Sequence, residues 1–151
     1  MKIATTIGEM YAYCASPAEA IRCYAGSGFK YLDYFFYRDH FKDSPFMQDD
    51  DRAWRAQIAD SAAAARECGL TFVQAHLPGY NPMGEFDHER CMRAVLRTAE
   101  ACGILNIPTM VIHSSYSPVH RYPVDQDAYF EYNKKFLAPI LAVAANCGST
   151  G

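Results

Sequence analysis

Two rhythms of apolar and polar positions alternate along the chain. Short β-branched and aromatic runs at Lys2 to Ile7, Phe29 to Tyr37, Thr71 to Ala75 and Thr109 to Ile112 read as strands. Between them apolar residues return every three or four positions, as at Trp54, Ile58, Ala62 and Ala65, the mark of a helix with one buried stripe. Ser16-Pro17-Ala18-Glu19 supplies an N-cap, a proline at the first helical position and a first-turn carboxylate. Asp87 is a second N-cap. The helices are predicted from Pro17 to about Gly26, over Arg52 to Cys68, from Asp87 onward and over Asp127 to Cys147, with Pro139 kinking or restarting the last.

One phrase recurs at three helix ends: Ala65-x-x-Cys68-Gly69, Ala99-x-x-Cys102-Gly103 and Ala144-x-x-Cys147-Gly148. Each glycine is predicted to take the left-handed conformation that turns a helix into the next strand. The order is strand then helix four times over, a parallel α/β arrangement in a single domain spanning 1–151. Links from helix to strand are minimal. Those from strand to helix, at Arg38 to Asp51 and after His76 and His113, are long and polar. In parallel α/β proteins these strand-to-helix loops gather on the face where ligands bind.

Composition narrows the partners. Half of the residues are hydrophobic, enough for a core at this length, and 14 Lys+Arg against 17 Asp+Glu leave a net charge of -3 with no basic tract. That balance disfavours nucleic acid. No apolar run approaches the ~20 residues of a membrane span, and the start of the chain lacks a secretory pattern, so the expectation is a cytoplasmic protein. The six cysteines show no CxxC spacing, and they read as small buried hydrophobes in their reduced state.

His76 and His113 end successive strands, so in a parallel sheet with strands ~4.8 Å apart their side chains can converge on one point. Such a pair suits either a divalent metal or a polar substrate. Asp33, at the matching end of the second strand, can orient a histidine or accept a substrate hydroxyl. Tyr80, in the loop after His76, is a further substrate-binding candidate. Glu9 is the other carboxylate on this face and reads as solvated. His40, His88 and His120 read as surface residues. Tyr31, Tyr34, Phe35, Phe36 and Tyr37 read as core packing within a strand buried on both faces.

The segments Gln74-Ala75-His76-Leu77-Pro78 and Val111-Ile112-His113-Ser114 resemble the xylose-isomerase-like TIM-barrel superfamily. So do the opening Met1-Lys2-Ile3-Ala4 strand, the Gly28-Phe29-Lys30-Tyr31-Leu32-Asp33 turn into the second strand, and the Ala-x-x-Cys-Gly helix ends. The superfamily includes sugar-phosphate isomerases and epimerases, inosose dehydratase-type enzymes and abasic-site endonucleases. A complete eight-stranded barrel takes about 250 residues. The resemblance therefore implies a (βα)4 half of a TIM barrel, truncated after the fourth helix, with catalytic carboxylates expected in the other half.

The resemblance implies a divalent-metal-dependent sugar or sugar-phosphate isomerase/epimerase that shifts a proton next to a metal-polarised carbonyl. The fragment alone is expected to be inactive. His76 and His113 match positions that ligate metal (Mn, Mg, Co or Zn) in the endonuclease branch and line the substrate pocket in many isomerases. Two alternatives stand beside this reading: an abasic-site endonuclease-type phosphodiesterase, and a non-catalytic half-barrel that binds a partner. Open sheet edges at the first and fourth strands favour homo-oligomerisation.

Overall fold

The computed structural model describes residues 3–37, 39, 41–81, 87–114 and 125–147. Four parallel strands, β1 (Ala4–Thr6), β2 (Tyr31–Phe35), β3 (Thr71–His76) and β4 (Met110–Val111), form one sheet in the order β1-β2-β3-β4. They are joined by α1 (Pro17–Arg22), α2 (Arg52–Cys68) and α3 (His88–Ile104), and α4 (Gln126–Asn146) follows β4. Spatial order equals chain order, so the winding never reverses, as in a barrel and unlike a doubly wound sheet.

The helix starts follow their sequence signals. Ser16 Oγ accepts from Glu19 N at 3.2 Å ahead of Pro17, and Asp87 Oδ1 accepts from Arg90 N at 3.1 Å. The helix ends divide. Gly69 is left-handed at φ 63°, with Leu70 N donating to Ala65 O and Gly69 N to Arg66 O, as the repeat predicts. Gly103 departs from the prediction. It stays inside α3, and Asn106 takes the left-handed place at φ 54°, its N–H bonding Gly103 O while Ile107 N bonds Cys102 O. Packing explains the glycine: a Cβ there would lie 2.5 Å from Cys147 Cβ, so its bareness lets the end of α4 close on α3. Gly148 lies outside the described residues. Pro139 does not restart the last helix, which continues through it from Gln126 to Asn146.

The core lies between sheet and helices. Leu32, Tyr34 and Phe36 point outward from β2 and are fully buried, Tyr34 bonding Ser61 of α2 at 3.0 Å and Phe36 packing edge-on to Phe46. Trp54 stacks on Phe46 with ring centroids 5.5 Å apart. The loop after β2 contains a 3-10 turn, Pro45–Met47, and arginines of α3 grip it. Buried Arg97 donates to Phe46 O at 2.9 Å and Gln48 O at 2.6 Å and pairs with Asp51, while Arg90 donates to Met47 O and Arg93 pairs with Asp49. Thus the acidic run Asp49 to Asp51 is a docking strip for α3 as well as a lead into α2.

The cysteines do not share one environment. Cys91 and Cys102 are buried as expected, Cys14, Cys68 and Cys147 are half-buried, and Cys23 is exposed. Among the described residues no helix is long and apolar enough to cross a membrane.

Candidate active site

The inner face of the sheet is built by register. Thr6 pairs with Asp33, Asp33 with Gln74, Phe35 with His76, and His76 with Val111, so these side chains share one side. A bulge makes this arrangement work. Leu32 pairs with Phe72 and Asp33 with Gln74, leaving Val73 as an extra residue. Phe72 packs on outward-facing Tyr34, with centroids 5.4 Å apart; were Val73 to take a regular place in the ladder, strict alternation would send Gln74 and His76 outward too. The bulge turns both into the interior.

His76 Nδ1 lies 2.8 Å from Asp33 Oδ2. An ionised carboxylate can only accept, so Nδ1 carries the hydrogen and Nε2 holds the free lone pair. His113, two residues beyond Val111, places its ring centroid 6.3 Å from that of His76, so the two imidazoles meet on one side of the sheet. Asp33 is buried, at 7 % exposure, and its Oδ1 has no hydrogen-bond partner. Burial raises its carboxyl above the ordinary value, opposed by the His76 charge and hydrogen bond and by the neighbouring Gln74 and Thr6 side chains. An acceptor atom buried without a donor is a ready partner for a ligand hydroxyl.

The aromatic run of β2 splits between the two faces, correcting the expectation that it is all core. Tyr34 and Phe36 are core, but Phe35 and Tyr37 stack on the inner side with centroids 5.6 Å apart, and Phe35 lies 6.3 Å from the His76 ring. Tyr11 supports this floor from the segment after β1, donating its hydroxyl to Phe35 O at 3.0 Å. Sequence reasoning missed Thr6, Gln74 and Phe35 as members of the site, because only the pairing register brings them to Asp33 and His76.

Tyr80 occupies a different place. Its hydroxyl lies 2.5 Å from His88 Nδ1 and its ring packs against Phe136, so its observed contacts belong to the α3–α4 side. His88 is exposed, as expected, but is engaged by that bond. Glu9 is exposed. His40 and His120 lie outside the described residues.

The donor set tests the expected metal. Among the described residues no three His, Cys, Asp or Glu side chains come together as a metal site would require. His76 and His113 offer two nitrogens, and Asp33 is already bonded to His76. Alone, these residues do not complete a coordination sphere.

No family model matches the chain, and no curated protein matches it in sequence. Solved structures do match. A putative xylose isomerase from Rhodospirillum rubrum aligns with TM-score 0.70 and 15% identity over 99% of this chain and 52% of its own. A 3-keto-D-glucoside 4-epimerase from E. coli gives 0.66 and 18%, over 99% and 54%. A family 2 AP endonuclease from Brucella melitensis gives 0.61 and 18%, over 99% and 53%. The chain spans about half the length of the solved structures it matches. It has the α/β fold of half a TIM barrel.

Proposed function

We propose that this chain is the substrate-orienting half of an isomerase or epimerase acting on a sugar or sugar phosphate. The observation that carries the reading is the Asp33–His76–His113 arrangement, facing inward at the strand ends of the half-barrel. The likeness to an epimerase and a putative isomerase supports it. In this reading His76 Nε2 accepts the hydroxyl proton of the substrate as hydroxyl and carbonyl exchange places, and Asp33 steadies the imidazolium that results. His113 bonds a neighbouring oxygen, and the Phe35–Tyr37 pair receives an apolar C–H face of the sugar.

Asp33 is the one carboxylate among the described inward strand positions, and it is committed to His76. Removal of the carbon-bound proton is therefore assigned to a base outside these residues. A divalent ion such as Mn, Mg, Co or Zn, when bound, would polarise the substrate oxygens. Its remaining ligands would come from beyond the described residues, and no step above depends on it.

The test is an NMR titration of the histidine C–H signals with ketoses and ketose phosphates. Saturable shifts of the His76 and His113 signals are expected, while glycerol at the same concentration leaves both in place. Unmoved signals at the highest soluble sugar concentration would refute the reading. The likeness to an AP endonuclease favours a second reading, whose signature would be tight, steeply salt-dependent binding to abasic duplex DNA.

A further inference from the structure

Cys14 follows the 3-10 turn after β1 and Cys23 ends α1, yet their sulfurs lie 3.6 Å apart. The segment between them is preorganised. Glu19 Oε2 accepts from Ala15 N at 2.8 Å while Ser16 Oγ accepts from Glu19 N, a reciprocal clasp at the helix start. Cys23 is exposed and Cys14 half-buried, so Cys23 is the more open of the two to a dissolved reagent. A disulfide bond is about 2.05 Å long, so the sulfurs need to approach by only about 1.5 Å.

We propose that Cys14 and Cys23 form a reversible dithiol–disulfide site, closed by a peroxide and reopened by a small thiol. The Cys23 thiolate attacks one peroxide oxygen, the O–O bond breaks, and Cys23 becomes a sulfenic acid as the other oxygen leaves as hydroxide. The Cys14 sulfur, giving up its proton, then attacks the Cys23 sulfur and displaces a second hydroxide. The two thiols lose two electrons and two protons, and hydrogen peroxide is reduced to two waters. The order of attack follows from the environment. Partial burial, the Cys23 sulfur and the Glu19 carboxylate hold the Cys14 thiol above its ordinary range, so it acts second.

Closure would act on more than these two residues. Cys14 lines a cavity of about 330 Å³ together with Tyr11, Phe35, Asp39 and Ser44, and Tyr11 holds the strand end on which Phe35 meets His76. The disulfide tethers the loop behind the candidate active site. The proposal does not rest on the sugar reading.

The experiment treats the reduced chain with equimolar hydrogen peroxide and reads thiols, intact mass and tryptic peptides. Two thiols are expected to disappear and the monomer to become about 2 Da lighter, with dithiothreitol reversing both. Cleavage after Arg22 places the two cysteines on separate peptides, so the new bond appears as a linked pair. In Cys14→Ser the linkage is lost and a dimedone-trapped sulfenic acid appears at Cys23; in Cys23→Ser neither forms. Circular dichroism confirms that both variants fold. Earlier loss of other thiols, Cys23 over-oxidised beside reduced Cys14, or a dimer bridged through Cys23 would each overturn the proposal.

Discussion

The two faces of the sheet obey different rules. Outward, Leu32, Tyr34, Phe36 and Ala75 are fully buried against helices, and the only polar side-chain bond among them joins Tyr34 to Ser61. Inward, Thr6, Asp33, Gln74, His76 and His113 place polar atoms beside a two-ring aromatic floor, and a buried carboxylate oxygen goes without a donor. One face is optimised for density and the other withholds satisfaction, as binding surfaces do. Stability should reside in the first and chemistry in the second.

The sharpest challenge to this division is Phe36→Ala. It removes a fully buried ring and should cost about 3–5 kcal/mol in urea denaturation; a cost below about 1 kcal/mol would abolish the contrast. Arg97→Ala comes next. It strands the carbonyls of Phe46 and Gln48 and breaks the pair with Asp51, for about 2–4 kcal/mol, and Arg97→Lys should recover only part of that because lysine lacks the fork.

Asp39 sits between the two regimes. Burial pushes its carboxyl up to about 7, with the Ser44 hydroxyl bond at 2.8 Å acting the other way. Because its folded value lies above its unfolded one, it contributes stability below about pH 4, and that contribution fades as pH rises through 7. The loss should be about 1–3 kcal/mol in denaturation midpoints, and Asp39→Asn should flatten the profile. Smallest of all, His113→Gln on the exposed inner rim should shift stability by less than about 0.5 kcal/mol while abolishing the shift of the His76 signal that the proposed sugar binding would produce.

Much of the fold was legible in the residues because local rules and packing agreed there. α2 runs from Arg52 to Cys68 as its apolar stripe and Gly69 indicate. Asp33, His76 and His113 do converge, because the strand ends lie side by side and the bulged register puts them on one face. Long-range packing overrode the local signal elsewhere. Gly103 reads as a helix terminator but serves the approach of Cys147, some forty residues later, and Asn106 does the turning. Nothing local to Arg97 signals burial, yet it is buried as the anchor of a loop that only tertiary structure brings within reach. The split of the β2 aromatics was likewise hidden, because a run of aromatic residues leaves no polar alternation to read.

The bulge at Val73 has a consequence for how such a site arises and is lost. Were the bulge ironed out, with Val73 taking the ladder place opposite Asp33, the strand, its length class and its hydrophobic content would stay nearly intact while Gln74 and His76 swapped destinations. The imidazole would then be driven among helix-facing hydrocarbons and Asp33 would lose its partner. The pairing of His76 with Asp33 thus depends on a parity, one that a single backbone irregularity sets without any new residue.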